Sequence, residues 1–197
     1  MPNRVITISR EYGSGGSIIA REVAEKLGIP CYDANLIERI AQESGYDVGY
    51  VKEKGEYATG GYFSAMFADR SRGLTYQDKL WNIQRRIIVE LAEKSPCVIV
   101  GRCADYILSE TADCLNVFVY ASIEKRVERI STEYREDRPE QLLKEIDKRR
   151  AAYHRFYTNL KWGHAQNYHI CLDSGTLGLE KCAEIICGLY EPGDLKK

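Results

Sequence analysis

The sequence lacks any long hydrophobic run and any strong imbalance of charge. Its uninterrupted apolar stretches are only a few residues long, whereas a membrane-spanning helix needs about 20. The formal net charge is −1, so no overall field favours nucleic acid or anionic lipid as a partner. The N-terminus shows no signal-peptide pattern. We therefore expect a cytoplasmic protein that binds neither a membrane nor a nucleic-acid polymer, and its oligomeric state stays open.

Close cysteine pairs and zinc-ligand spacings are also missing. None of the seven cysteines belongs to a CxxC pair, and the three histidines show no metal-binding spacing. Most of the cysteines lie in apolar runs, such as CVIV at 97–100. This placement predicts buried, reduced thiols rather than a disulfide framework or a metal centre.

What the chain does contain is an alternation of short apolar runs with helical patterns. Strands are predicted at 4–8, 29–32, 97–100, 115–120 and 168–173. Helices are predicted at 17–27, 35–43, 75–94, 124–135, 139–157 and 179–190, with Thr75 as a cap and a loop-rich segment at 45–75. This order predicts an α/β fold of three layers, in which helices cover both faces of a five-stranded parallel sheet. Ligands of such sheets bind at the carboxyl ends of the strands.

A glycine-rich segment, REYGSGGS at 10–17, joins the first strand to the first helix. It fits the phosphate-binding pattern GxxxxGK[ST] with two changes, because Arg10 replaces the first glycine and Gly16 replaces the lysine. The alternative is a strand-to-helix turn that needs glycine only for its geometry. We expect the backbone N–H groups to bind phosphate, and Ser17 to help seat Mg²⁺. The expected phosphate-binding residues are Gly13, Ser14, Gly15, Gly16 and Ser17.

The segment ITISREYGSGGSIIAREVAEKLGIPCYD at 6–33 resembles the start of the cytidylate kinase-like family, a branch of the P-loop nucleoside monophosphate kinases that also lacks the loop lysine. The likeness continues to ICLDSGTLGLE at 170–180. It implies a single P-loop kinase domain over 1–197, with an acceptor-binding lobe near 35–80 and a lid near 131–163. It also implies Mg²⁺-assisted phosphoryl transfer from ATP to a nucleoside monophosphate, most simply CMP or dCMP.

The resemblance assigns residues to the acceptor. In cytidylate kinases an Asp at the end of the second strand and an Arg six positions later face the monophosphate acceptor, and Asp33 and Arg39 have the same spacing here. Arg102, which follows Gly101, matches a family arginine that binds the acceptor phosphate. The alternative role is a helix cap for Asp33, a solvated helix face for Arg39 and a surface salt bridge for Arg102. The acidic residue that follows this arginine in cytidylate kinases is Cys103 here.

A basic segment follows the fourth predicted strand. We expect Arg126 and Arg129 to lie on the helix surface and to pair with neighbouring glutamates. Arg10 and the lid arginines are candidates to supply the charge that the loop lysine would carry, and the alternative for each lid arginine is a solvated helix face. The resemblance assigns three residues to the lid helix: Arg149, Arg150 and Arg155.

Two other functions stay open. The replacements at Gly16, Ala34 and Cys103 favour a nucleotide-binding or sensor protein that no longer catalyses. Ala34 and Asn35 stand where cytidylate kinases have a hydroxyl residue and glycine, which favours a kinase with another small acceptor.

Overall fold

The computed structural model of the chain describes residues 4–54, 76–134 and 138–190. Within these ranges five strands form one parallel sheet. They are β1 (Arg4–Arg10), β2 (Cys31–Tyr32), β3 (Cys97–Val100), β4 (Asp113–Tyr120) and β5 (Ile170–Asp173). The order across the sheet is β2-β3-β1-β4-β5. The predicted α/β class and five-stranded parallel sheet are confirmed.

Helices connect the strands, and the long ones lie where sequence periodicity predicts them. The described helices are α1 (Gly16–Leu27), α2 (Ala34–Ser44), α3 (Val48–Lys54), α4 (Tyr76–Lys94), α5 (Ala104–Ile107), α6 (Ile123–Tyr134), α7 (Pro139–Thr158), α8 (Ser174–Leu177) and α9 (Leu179–Leu189). None of these helices has the length and apolar character needed to cross a bilayer. Thr75, residues 55–74 of the predicted loop-rich segment and Arg135 lie outside the described residues.

Two apolar cores cover the two faces of the sheet, because side chains alternate along each strand. Val5 and Ile99 point into a core formed with α2, α3, α4 and α5. Ile6 and Val100 point into a second core formed with α1 and α9. Strand β1 is buried along its whole length. Burial on both faces explains why the central strands are continuous apolar runs rather than alternating ones.

The carboxyl end of β1 positions the candidate site. Strand β1 ends at Arg10 rather than at residue 8, and Arg10 is paired in register with Val119 of β4. Neighbouring strands β3 and β4 lie on opposite sides of β1, so the order of strands reverses there. A crevice forms at such a reversal, outside the carboxyl ends of the strands. The loop after Arg10 opens into that crevice.

Candidate functional site

The loop between β1 and α1 has the backbone geometry that its glycines predict. Gly13 and Gly15 adopt left-handed conformations, with φ of 77° and 79°. A Cβ atom on Gly13 would lie 2.9 Å from Ile130 Cδ1, and one on Gly15 would lie 2.5 Å from Leu179 Cδ2. Glycine is therefore required at both positions by conformation and by the close approach of neighbouring side chains.

The loop presents backbone donors that the rest of the described chain does not use. The N–H groups of Gly13, Gly15, Gly16 and Ser17 donate to no acceptor within the described residues. Gly16 and Ser17 form the first turn of α1, where N–H groups have no intrahelical partner and the helix dipole is positive. Together these groups form a cradle suited to an anion such as phosphate.

Ser14 has a different place from the other loop residues. Its side chain is fully buried, and its hydroxyl donates to the Glu11 carbonyl oxygen at 2.9 Å. The Ser14 carbonyl accepts a hydrogen bond of 2.5 Å from the Ser174 hydroxyl at the start of α8. Ser14 thus anchors the loop to the neighbouring helix, and its side chain does not line the cavity above the loop.

Arg10 fills the space in which a loop lysine would begin. A Cβ atom on Gly16 would lie 2.5 Å from Arg10 Cβ and 2.8 Å from Arg10 Cγ. Real Cβ atoms essentially never approach another heavy atom below 3.0 Å. A long side chain at position 16 is therefore incompatible with Arg10 in its present position. The two departures from the phosphate-binding pattern, at positions 10 and 16, are therefore sterically linked.

A cavity of about 120 Å³ lies over this loop. Four of its lining residues are arginines, and Glu11 is its acidic lining residue. Such an excess of positive charge beside a helix N-terminus favours a polyanionic ligand. The arginines are Arg10, Arg21, Arg129 and Arg150.

Two of these arginines bind the loop backbone. Arg129 Nη1 donates to the Gly13 carbonyl oxygen at 2.6 Å, and Arg150 Nη1 donates to the Arg10 carbonyl oxygen at 3.1 Å. The Arg150 guanidinium also lies 5.7 Å from the centre of the Tyr12 ring, within the range of a cation–π contact. These contacts hold two cations beside the phosphate cradle.

The expectation that Arg126 and Arg129 lie on the surface of α6 is wrong. Arg126 is only 7% exposed, and its Nη1 lies 2.5 Å from Asp147 Oδ2 on α7. The other Asp147 oxygen accepts the Tyr12 N–H at 2.8 Å, and Arg126 Nε lies 3.5 Å from Glu11 Oε2. Helix α6 follows the carboxyl end of β4 and faces the loop, so these side chains point inward. Sequence spacing on α6 alone does not say which face meets the loop.

Glu11 belongs to this buried network. Burial raises the pKa of Glu11 above its ordinary value, and the Arg126 guanidinium opposes that rise. The Ala121 N–H, just after β4, donates to Glu11 Oε2 at 3.2 Å. The carboxylate therefore ties the loop to β4 and α6.

A second, smaller cavity of about 20 Å³ lies at the carboxyl end of β3, beside α7. Arg102, which follows β3, lines it, and so does His154 of α7. Arg10 and Arg150 line both cavities, so the two spaces adjoin at these two residues. The predicted phosphate cradle and the predicted acceptor-phosphate arginine thus lie on either side of Arg10 and Arg150.

The backbone at Arg102 is strained. Gly101, Arg102 and Cys103 are all left-handed, with φ of 69°, 55° and 56°. Residues other than glycine rarely adopt this backbone conformation, and those that do are concentrated at functional sites. Asp105, one turn later, is buried, and its Oδ2 lies 3.4 Å from His154 Nε2. The end of β3 is thereby joined to α7.

The predicted acceptor residues, Asp33 just before α2 and Arg39 on α2, line neither cavity. Arg39 is 2.9 Å from Glu43 Oε1 and 2.9 Å from Glu90 Oε2, in an ion-pair group on the surface of α2 and α4. Asp33 donates its N–H to Asn35 Oδ1 at 2.9 Å, and within the described chain its side chain makes no capping hydrogen bond. The ion pairs correspond to the solvated-face alternative for Arg39.

The three predicted lid arginines also differ in whether they line the cavities. Arg150 is 7% exposed and lines both cavities. Arg149 pairs with Glu145 one turn earlier on the outer face of α7. Arg155 is exposed and lines neither cavity. Only Arg150 of the three reaches the candidate site.

One residue of the larger cavity, Ser17, is the expected Mg²⁺ ligand. Among the described residues, no group of three or more His, Cys, Asp or Glu side chains is arranged to hold a metal. Ser17 lines the larger cavity. Magnesium in phosphoryl-transfer enzymes typically takes few protein ligands and is held largely by water and substrate phosphates. Ser17 is the candidate ligand.

A parallel sheet of this order, with a glycine-rich loop that opens the first helix, defines the P-loop kinase fold. Shikimate kinase from Acinetobacter baumannii has a similar fold, with a TM-score of 0.55 and 16% identity over 100% of this chain and 96% of that chain. A model of the cytidylate kinase-like family matches residues 5–176. The chain therefore belongs to the cytidylate kinase-like family.

Two relatives align along almost the whole chain. The cytidylate kinase of Archaeoglobus fulgidus is 29% identical over 198 residues, which cover 97% of each chain. The crystal structure of an uncharacterized protein from Eubacterium ventriosum has a TM-score of 0.74 and 26% identity, over 96% of this chain and 99% of that chain. The resemblance to a cytidylate kinase-like protein, expected from residues 6–33, is confirmed.

Proposed function

We propose that the protein transfers the terminal phosphoryl group of ATP to a nucleoside monophosphate, with CMP or dCMP as the simplest acceptor. The observation that carries this proposal is the position of Arg10. Its side chain fills the space of a loop lysine, and it lines both the loop cavity and the cavity of Arg102. The similarity to the cytidylate kinase of Archaeoglobus fulgidus supports the choice of acceptor.

The loop would bind the donor phosphates. The unused N–H groups of Gly13, Gly15, Gly16 and Ser17 are directed by the first turn of α1 and by the left-handed glycines. The Ser17 hydroxyl would hold Mg²⁺, which when bound neutralises charge on the donor phosphate oxygens. Arg129 fixes the loop by binding the Gly13 carbonyl oxygen.

Arg10 and Arg150 would act on the phosphoryl group during transfer. Phosphoryl transfer depends on positioning and on stabilisation of charge, with little covalent chemistry for the protein to perform. Arg10 and Arg150 both line the two adjoining cavities, which supports a role for them in stabilising that charge. Arg102 would bind the acceptor phosphate through its planar fork of donors. That phosphate is itself the nucleophile, so no strong general base is needed.

A kinase that uses another small acceptor is the second candidate. Two observations favour it. Arg39 forms ion pairs with Glu43 and Glu90, and Asp33 lines neither of the two cavities. Those two residues, Asp33 and Arg39, would contact the pyrimidine nucleotide in the family pattern.

The experiment is an acceptor screen with ATP and Mg²⁺, in which ADP formation is coupled to NADH oxidation. CMP and dCMP are compared with UMP, AMP, GMP and non-nucleotide alcohols, with an acceptor-free control for ATP hydrolysis. We expect the highest kcat/KM for CMP or dCMP. Turnover only with a non-nucleotide acceptor would support the second candidate. Saturable ATP binding without turnover on any acceptor would contradict phosphoryl transfer.

A further inference from the structure

The side-chain amide of Gln84, on α4, forms hydrogen bonds with Arg102 and with Tyr153. Its side chain is fully buried. Gln84 Oε1 accepts a hydrogen bond of 3.0 Å from Arg102 Nη1, and Gln84 Nε2 donates to the Arg102 carbonyl oxygen at 3.1 Å. The same Nε2 donates to the Tyr153 hydroxyl of α7 at 3.2 Å. One side chain therefore binds both the guanidinium and the backbone of Arg102.

Arg102 needs an external constraint of this kind. It lies in the run of three left-handed residues, and left-handed backbone is unfavourable for a residue that carries a Cβ atom. The bond to its carbonyl oxygen restrains the peptide plane, while the bond to Nη1 restrains the side chain. Since the guanidinium is a planar fork of donors, fixing one Nη group fixes the direction of the others.

We propose that Gln84 is a positioning residue that holds the Arg102 guanidinium in the orientation in which it receives the phosphate of the acceptor. The inference rests on the proposed function, because it takes the cavity of Arg102 as the acceptor-phosphate site. Arg102 lines that cavity with Arg10 and Arg150, whereas Gln84 lines neither cavity. Gln84 therefore acts through Arg102 and not by touching the substrate.

The bond to Tyr153 extends this role to the lid helix. The Tyr153 ring packs with Tyr157 of α7 at a centroid distance of 4.8 Å and with Trp81 of α4 at 6.2 Å. Gln84 thus joins α4, the end of β3 and α7 at one buried point. Both partners of its amide, Arg102 and Tyr153, lie outside the donor loop. We expect loss of the amide to affect acceptor binding and to leave ATP binding nearly unchanged.

The test compares Gln84→Met with wild type and with Asn82→Ala. Methionine keeps the length and volume of glutamine but has no amide, and Asn82 is an exposed amide on the same helix. For Gln84→Met we expect KM for the monophosphate acceptor to rise about 10- to 100-fold, the range for a lost hydrogen bond to a charged group. KM for ATP should stay close to the wild-type value. Asn82→Ala should leave both constants unchanged.

A second measurement does not depend on turnover. Nitrogen-15 relaxation of the Arg102 Nε–H group, recorded without substrate, should report an ordered side chain in wild type and a mobile one in Gln84→Met. Unchanged acceptor KM, with or without a loss of stability, would overturn the proposal, and so would unchanged Arg102 order. If wild type phosphorylates no monophosphate, the proposed function fails, and the relaxation data alone decide whether Gln84 positions Arg102.

Discussion

The close packing of Arg10 on Gly16 predicts that even one added methyl group at position 16 destabilises the protein. In Gly16→Ala the new Cβ atom would lie 2.5 Å from Arg10 Cβ and 2.8 Å from Arg10 Cγ. Overpacking of this kind costs about 1–3 kcal/mol. Alanine in place of glycine in a helix stabilises by up to about 1 kcal/mol. We therefore expect Gly16→Ala to lower the free energy of unfolding by about 1–2 kcal/mol.

A double-mutant cycle isolates the steric cause. Arg10→Gly removes both of the atoms that the new methyl group would strike, so adding Gly16→Ala to that variant should be neutral or stabilising. The expected coupling between the two sites is about 0.5–3 kcal/mol. Urea unfolding monitored by circular dichroism measures all four proteins. Gly188→Ala is the control, because Gly188 lies within α9 with open space around it. An equal cost of Gly16→Ala in both backgrounds would refute the coupling of the two positions.

Three further predictions concern the arginines, the buried ion pair and the thiols. Arg150→Ala should lower kcat about 100-fold, the effect of removing one transition-state donor, whereas Arg149→Ala should not change it. Asp147→Ala leaves the buried Arg126 without its close carboxylate and should cost about 3–5 kcal/mol in urea unfolding. Burial raises the pKa of the Cys97 thiol from 9.0 to about 12. Since the folded-state pKa is the higher one, its contribution to stability is complete below pH 9.0 and is lost towards about pH 12.

Each of these predictions has a clear contrary result. An equal fall in kcat for Arg149→Ala and Arg150→Ala would contradict the conclusion that only Arg150 of the two reaches the candidate site. An Asp147→Ala protein as stable as wild type would contradict the buried pair. Urea unfolding in a series of buffers above neutral pH tests the thiol, with Cys97→Ala as the control. A Cys97→Ala protein that loses stability as steeply as wild type would contradict the predicted contribution of this thiol.

Sequence patterns predicted those parts of the site that depend on local geometry. The loop glycines, the strand CVIV and the start of α1 follow from backbone conformation and apolar periodicity within one segment. The resemblance to cytidylate kinases assigned Arg102, at a position that directly follows a buried strand. Predicting these features does not require knowing which distant elements pack against each other.

The features that the sequence did not predict depend on long-range packing. Arg126 and Arg129 turn inward because α6 packs over the loop, and Asp147 receives the Tyr12 N–H across two elements. Arg39 is drawn to Glu90 on α4, a residue distant in sequence. The one-turn helices α5 and α8 are too short to show periodicity.

We propose that Arg10 takes over the role of the loop lysine, and the steady-state kinetics of Arg10→Ala test this proposal most directly. Alanine keeps the Cβ atom that packs on Gly16 and removes the guanidinium. With ATP, Mg²⁺ and the best acceptor, kcat should fall by at least about 100-fold, while the Kd for ATP should change much less. Arg85→Ala, an exposed arginine on α4, is the control. Unchanged turnover in Arg10→Ala would contradict the claim.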